Sequence, residues 1–312
     1  MEHKVTHFLY CPLTGLGLYG GHRGSGWLKN RIKIFKQFVL PSLLAQTSKN
    51  FVLWVSVRYE DHYDNDIENF RQFLESITDF KTVFTYSGVC FWDDKFPDDE
   101  AHTRLIDAIH GSMGELFNVI GESESVLMTI QPSDDCYHKD MVNDVQEIFK
   151  NTDYQVIAYQ RGYVMDYLTL NMKEWNPKTN PPFYTIKFSR ETFTDPLKHI
   201  EYTGPYKSHE YVGEKLKLFP IYERGFLVGT HGDNISTVFD HPYAQELKEE
   251  YGYILDKFGL SNVLKLTVPF SLKRALFRRL PYGMKRKLRY WGGDKKWILR
   301  PLFKLIYDII RT

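Results

Sequence analysis

The sequence is poor in cysteine and has no long apolar run. Its three cysteines are Cys11, Cys90 and Cys136. An odd number at wide spacing forms neither a disulfide framework nor a zinc pattern, and it suits a reducing compartment. No apolar stretch reaches the roughly 20 residues that a membrane-spanning helix needs. Residues 1–7 lead directly into a predicted strand, without the apolar core of a signal peptide. We therefore expect a cytoplasmic protein.

Acidic residues are nearly missing from the C-terminal end. Residues 261–312 hold 14 of the 40 Lys and Arg but only 2 of the 39 Asp and Glu. Residues 269–280 and 302–311 have the pattern of basic amphipathic helices, which is typical of segments that lie on anionic membranes. A basic helix packed on the domain is the alternative. Nucleic-acid binding is not expected, because the basic charge comes without a motif that reads bases.

The first half of the chain alternates strand and helix patterns. Strands are predicted at residues 5–10, 51–57, 82–86 and 126–130, and helices at 27–46, 66–77, 101–120 and 138–150. Apolar residues recur at helical spacing in 27–46, whereas 51–57 is a near-continuous apolar run, as in a strand buried on both faces. This order predicts an α/β fold with a mixed, mostly parallel sheet flanked by helices.

The pattern becomes irregular after residue 153. Strands are predicted at 154–158 and 163–170, as a possible hairpin, followed by a loop at 176–182 and short strands up to residue 237. We expect one domain over residues 1–260, with halves at 1–150 and 151–260, and a helical tail over 261–312.

An acidic pair follows the fourth predicted strand. Ser133, Asp134 and Asp135 come after the apolar run 126–130 and Pro132. Ligands of open α/β sheets bind at the carboxyl ends of the strands, and two carboxylates there can hold a divalent cation that in turn holds a diphosphate. The alternative is that these residues cap the helix predicted at 138–150, since Ser and Asp are common N-caps.

Short blocks of the sequence recur in the order seen in a known family. The first block is Trp27-Leu28 with Arg31, then Pro41-Ser42-Leu43, Gln46-Thr47 and Phe51; later blocks are Asn180-Pro181-Pro182-Phe183, Ser208-His209-Glu210 and His231-Gly232-Asp233-Asn234. These blocks resemble GT-A-fold glycosyltransferases, and most closely a family of rhamnosyltransferases, over residues 5–237. The resemblance implies that residues 1–150 bind the nucleotide-sugar donor and residues 151–260 the acceptor.

Two positions depart from the pattern of that family. Pro132 replaces the first Asp of its Asp-x-Asp-Asp motif. Arg58, with Asp61 nearby, stands where the family has an Asp that reads the base or ribose of the nucleotide. The first departure leaves two carboxylates, which are enough for a cation that keeps its waters and diphosphate oxygens. The second leaves the nucleotide preference open.

The resemblance also implies roles for individual residues. Asp135 and Asp134 would hold Mn²⁺ or Mg²⁺ with His231 as a third ligand, or Asp134 would bind the ribose. Glu210, with His209 beside it, would be the catalytic base, and Asp195 and Asp233 are the alternatives. The predicted donor contacts are Pro12, Thr14, Gly15, Arg31, Arg58, Arg104, Ser133 and Asp134. For the helix residues Arg31 and Arg104, a solvated surface charge is the alternative.

The sequence therefore predicts a metal-dependent, inverting glycosyltransferase. It would transfer a sugar, with rhamnose suggested by the family, to a glycan or lipid-linked glycan at the cytoplasmic face of a membrane. The alternative, motivated by Pro132 and Arg58, is an inactive relative that binds nucleotide or glycan as a membrane-associated scaffold. A nucleotidyltransferase is not favoured, because residues 12–17 contain no basic residue.

Overall fold

The computed structural model describes residues 4–14, 24–88, 98–203, 209, 211–231 and 238–267. The strands in these ranges join one sheet, in which β10, β7, β6, β8, β4, β1, β2 and β3 lie side by side and β9 pairs with both β6 and β5. Their bounds are β1 Val5–Pro12, β2 Val52–Arg58, β3 Lys81–Gly88, β4 Ser125–Ile130, β5 Cys136–Tyr137, β6 Val156–Asp166, β7 Asn171–Trp175, β8 Tyr184–Ser189, β9 Leu218–Thr230 and β10 Ala244–Gln245.

The first half of the sheet is parallel. β1 pairs with β2 and β4, and β2 pairs with β3, all in the same direction. Their carboxyl ends meet at one edge, where Pro12 pairs with Ser56 and Tyr10 pairs with Ile130. The second half adds antiparallel pairs, including β8 against β4 and β7 against β6. The predicted mixed α/β class is confirmed.

Helices cover both faces of the sheet. Their bounds are α1 Gly24–Ile34, α2 Leu40–Leu44, α3 Asn65–Ile77, α4 Asp98–Ile120, α5 Met141–Asn151, α6 Arg190–Thr194, α7 Pro196–Thr203, α8 Tyr211–Lys215 and α9 Tyr251–Lys257. One apolar cluster joins α1, α3 and α5 to one face, and a second joins α4, α6 and α7 to the other. None of the helices in the described ranges is long and apolar enough to cross a membrane.

The helix predicted at residues 27–46 contains a π-helical segment. α1 and α2 are joined by Phe35–Val39, where the Leu40 N–H bonds the Phe35 carbonyl, five residues back. Pro41 follows at the start of α2 and has no amide hydrogen, so the regular ladder is interrupted there in any case. The backbone stays helical on both sides of the segment, and the predicted single helix becomes a continuous helix with one widened turn.

The two strands predicted at 154–158 and 163–170 are one strand in the structure. β6 runs through the polar residues Gln160 and Arg161, where its pairing with β9 shifts register. The sequence interpretation placed two strands here, whereas Gln160 and Arg161 occupy an irregularity within one strand. A Cβ atom on Gly162 would lie 2.3 Å from the Phe226 carbonyl oxygen. Glycine is therefore needed for the close approach of β9.

The start of the predicted tail packs on the domain. Leu266 is buried, and its N–H donates to the Tyr167 carbonyl at 2.7 Å. Lys33 Nζ donates to Thr267 Oγ1 at 2.9 Å. Residues 268–312, with both predicted amphipathic helices, lie outside the described residues. The division into 1–260 and 261–312 stays a prediction, and residues 261–267 attach to α1 and the end of β6.

Candidate active site

The acidic pair lies on a turn between β4 and β5, at the carboxyl edge of the parallel strands. The turn is tied down from two sides. Gln131 Nε2 donates to the carbonyl oxygens of Pro132 and Asp135, both at 2.9 Å. Tyr167 Oη donates to the Asp134 carbonyl at 2.9 Å. The neighbouring predicted donor contact, Ser133, is buried.

The capping interpretation of the acidic pair is wrong. α5 begins at Met141, and its N-cap residue is Asp140. The strand β5 separates that cap from Asp135 and pairs Cys136 and Tyr137 with β9. The two carboxylates therefore lie at the edge of the sheet and do not cap α5.

Asp134 is held by two buried partners from distant parts of the chain. Its Oδ2 lies 2.6 Å from Arg31 Nη1 and 3.1 Å from His231 Nε2. Arg31 and His231 are each only 1% exposed. Burial raises the pKa of Asp134, but Arg31 and the hydrogen bond from His231 outweigh burial and hold that pKa below its ordinary value. Asp134 is therefore ionised. Two other predicted site residues, Arg31 and His231, both contact its Oδ2.

Asp135 lies in a different electrostatic setting. It is buried, and its Oδ1 accepts the Gly229 N–H at 2.9 Å. Burial and the neighbouring charge of Asp134 raise the pKa of Asp135 well above its ordinary range. A cation placed beside Asp135 would lower that pKa again, because opposite charge favours the ionised form. Asp134 thus already has a cationic partner, whereas the ionised form of Asp135 would be stabilised by an additional cation.

Two residues that support the pair were missed by the sequence interpretation. A Cβ atom on Gly229 would lie 2.4 Å from the Asp134 carbonyl oxygen and 2.3 Å from the Tyr167 ring. Only glycine therefore lets β9 run beside the turn. Tyr167 stacks on Phe38 of the π-helical segment with centroids 3.6 Å apart. A glycine inside an apolar strand was the available signal for the first; no pattern marked the second.

The predicted cation fits part of this arrangement. Carboxylate oxygens suit Mg²⁺ and Mn²⁺, and burial beside the charge of Asp134 raises the pKa of Asp135. His231 Nε2, by contrast, is engaged with Asp134. Within the described ranges, no group of three or more His, Cys, Asp or Glu is arranged to hold a metal. Metal binding by the pair and ligation by His231 stay predictions.

Three other predicted donor contacts, Pro12, Thr14 and Arg58, lie on the same edge, at or just after the ends of β1 and β2. Pro12 ends β1, and Thr14 Oγ1 accepts the Arg58 N–H at 3.0 Å. The Arg58 guanidinium is buried and donates twice to Asp61, at 2.9 Å and 2.6 Å. The basic residue at the end of β2 therefore forms an ion pair with an acid three positions later. Gly15 lies outside the described residues.

Arg104 lies on α4, where its guanidinium pairs with Glu100 at 2.8 Å. That contact is the i, i+4 pair of a partly exposed helix surface. The alternative interpretation of Arg104 as a surface charge accounts for this contact. Its predicted role at the diphosphate stays untested.

The predicted catalytic base, Glu210, lies outside the described residues, as does the alternative Asp233. The adjacent His209 is half-buried, and its carbonyl oxygen accepts a hydrogen bond from Asn180 Nδ2 at 3.3 Å. The other alternative, Asp195, accepts the Leu197 N–H at 3.0 Å in the first turn of α7. Asp195 therefore acts as a cap in this structure.

Comparison with known families gives a match over part of the chain. The family model described as "Putative rhamnosyl transferase" matches residues 24–77, from α1 to α3. The resemblance seen in the sequence is confirmed over these residues. The matched segment contains Arg31, the buried partner of Asp134. The match is limited to these residues of the first half of the sheet.

Solved structures give only distant similarity. Staphylococcus aureus TarS residues 1–349 in complex with UDP is 12% identical, covers 73% of this chain and 60% of its own length, and has a TM-score of 0.38. The same protein in complex with UDP-GlcNAc is 12% identical, with coverages of 96% and 78% and a TM-score of 0.40. This chain thus spans three-fifths of the length of the first of these structures. TM-scores of this size do not establish a shared fold. A search of curated proteins gave no match.

Proposed function

We propose that this protein is a metal-dependent glycosyltransferase. It would transfer a sugar from a nucleotide-diphosphate donor to a hydroxyl of a glycan or lipid-linked glycan, with inversion at the anomeric carbon. The observation that carries the proposal is the buried pair Asp134–Asp135, held at the carboxyl edge of parallel strands by a residue of the matched segment, Arg31. Rhamnose is the sugar suggested by the family description.

The site residues would divide the work of transfer. Arg31 and His231 keep Asp134 ionised and in place. Asp135 would hold Mn²⁺ or Mg²⁺, which supplies positive charge to the leaving diphosphate. The ends of β1 and β2, with Thr14 and Arg58, would contact the nucleoside. Glu210 would take the proton of the acceptor hydroxyl, with His209 beside it.

The location at a membrane is part of the same proposal. Its support is the charge of residues 261–312, where Lys and Arg outnumber Asp and Glu by 14 to 2. Each basic residue near an anionic bilayer contributes about 1 kcal/mol of attraction. A lipid-linked acceptor would be reached from such a cytoplasmic surface.

One observation favours the second candidate, an inactive nucleotide- or glycan-binding scaffold. Arg58 stands at the position where the related family has an acid that contacts the nucleotide, and its guanidinium forms an ion pair with Asp61. Together with Pro132 in the acidic motif, this change removes two carboxylates that the family uses.

Donor hydrolysis would test the proposal. The protein would be incubated with Mn²⁺ and UDP-, GDP- and dTDP-sugars, and the released nucleotide measured. We expect slow release from one donor, lost in Asp135→Asn, which keeps the size of the side chain and an oxygen for the Gly229 N–H. Nucleotide binding without release from any donor would favour the scaffold. Absence of both binding and release would contradict the glycosyltransferase assignment.

A further inference from the structure

A groove of about 470 Å³ lies outside the acidic pair, in the second half of the domain. It opens between α8, the first residues of β9 and the loop before β8. Its lining includes Gln160, Asn180, Gly213, Glu214, Leu218 and Tyr222. Among its described lining residues there is one carboxylate and no Lys or Arg. Such a lining disfavours a diphosphate and suits a neutral, hydroxyl-rich ligand.

Two amide side chains connect the groove to the backbone of His209. Gln160 Nε2 donates to Asn180 Oδ1 at 2.9 Å. Asn180 Nδ2 in turn donates to the carbonyl oxygen of His209 at 3.3 Å. A ligand bound against Asn180 is therefore one hydrogen bond away from the backbone of His209, the neighbour of the predicted base.

Tyr222 provides an apolar surface at the same groove. Its side chain is 61% exposed, although the later residues of β9 are buried. The Arg161 guanidinium lies 5.7 Å from the ring centroid and helps to fix the ring. A pyranose ring has an apolar face of C–H groups and an edge of hydroxyls. An aromatic ring beside amide and carboxylate groups complements both parts.

We infer that this groove binds a sugar unit of the acceptor glycan and positions the acceptor beside His209. The inference rests on the proposed function, since it names where the acceptor of that reaction binds. Tyr222 contacts the apolar face of the sugar, and Gln160, Asn180 and Glu214 bond its hydroxyls. Specificity follows from these polar groups, because a sugar that lacks a matching hydroxyl leaves one of them unpaired.

Binding of methyl glycosides tests the groove without any donor. Saturation-transfer NMR would be recorded on the full chain with the methyl glycosides of rhamnose, glucose, galactose and N-acetylglucosamine. We expect at least one to bind the wild type, and Tyr222→Ala to weaken that binding about tenfold. Tyr222→Phe, which keeps the ring, should bind within about twofold of the wild type. The matched control is Tyr253→Ala on α9, since Tyr253 is similarly exposed, at 58%.

Failure of the inference and failure of the proposed function give different results. UDP, GDP and dTDP binding and donor hydrolysis would be measured on the same samples. Weaker binding of that methyl glycoside by Tyr222→Ala, together with a raised KM for it as acceptor, supports the groove. The inference is overturned when no methyl glycoside binds the wild type, or when Tyr222→Ala binds it equally well. A wild type that binds a glycoside at Tyr222 but neither binds nor cleaves a donor contradicts the transfer reaction, and with it the acceptor role.

Discussion

The two halves of the sheet are built from different contacts. In the first half, parallel strands are joined through helices, and β1 pairs with β2 and β4. In the second half, β6 pairs with β7, β8 and β9, and residue Val156 faces both Ile186 and Leu218. The acidic pair belongs to the first half, whereas its partners Gly229 and His231 lie near and just after the end of β9 in the second. The site exists only where both halves are correctly docked.

The largest effect should come from breaking the ion pair that joins α1 to the turn after β4. Arg31→Met leaves the buried Asp134 carboxylate without its closest cation, and loss of one partner of a buried pair costs about 3–5 kcal/mol. Urea unfolding would measure the loss. Arg71→Met is the control, because Arg71 pairs with partly exposed acids on the surface of α3. Equal losses in the two variants would contradict the role given to Arg31.

Gly229→Ala tests the other side of the junction. The new Cβ atom would overlap the Asp134 carbonyl and the Tyr167 ring, and overpacking of this kind costs about 1–3 kcal/mol. We also expect donor hydrolysis to fall, since the turn that carries both carboxylates must move. Gly114→Ala is the control: its Cβ atom meets nothing within 4 Å on α4. There the higher helix propensity of alanine should raise stability by up to about 1 kcal/mol. Unchanged unfolding of Gly229→Ala would refute the close approach.

Each half of the domain contains a buried histidine, His7 in the first and His199 in the second, that should make folded stability depend on pH. Burial lowers the pKa of His7 to about 3 and that of His199 to about 4, against an ordinary value of 6.5. The unfolded chain therefore binds more protons below pH 6.5, and folded stability falls as the pH drops toward 4. Each histidine contributes up to about 1.4 kcal/mol per pH unit in that window. Replacing His199 with Gln should flatten the profile by one such slope, as measured by unfolding from pH 7 to pH 4. An unchanged profile would contradict its neutral state.

The smallest expected effect is that of Tyr167→Phe. The change removes the hydrogen bond to the Asp134 carbonyl and keeps the ring stacked on Phe38. A net loss of about 1 kcal/mol is expected, with a modest fall in donor hydrolysis. Thermal unfolding would measure it. A loss as large as that of Arg31→Met would mean that the carbonyl bond, and not the ion pair, secures the turn.

The sequence predicted the first half of the fold well because the signals there are local. The apolar run 51–57 and the helical spacing of 66–77 appear in the structure as β2 and α3 within a residue or two. β9 was anticipated only in part, since its long pairing with β6 is decided by distant residues. α9 was missed: it has two turns, and its burial comes from packing against the π-helical segment.

The structure brings Arg31, Asp134 and His231 together in an arrangement that the sequence did not predict. Arg31 was expected to contact a diphosphate, and Asp134 to hold a metal or ribose; the structure joins them to each other. No sequence pattern states that a helix residue will reach a turn about 100 positions later, because that contact is decided by how α1 lies on the sheet. Arg58 was recognised as a departure with Asp61 nearby, and the structure shows that the two side chains form an ion pair.

The π-helical segment Phe35–Val39 controls the angular phase of α1. Each residue of an α-helix turns the chain by about 100°, so one extra residue in a widened turn offsets everything before it by that angle. Arg31 therefore points at Asp134 while Leu43, on the far side of the segment, still packs in the core. Deleting a single residue here would remove the widened turn and rotate the guanidinium away from the carboxylate. The π-helical turn thus determines which face of α1 points toward the acidic pair.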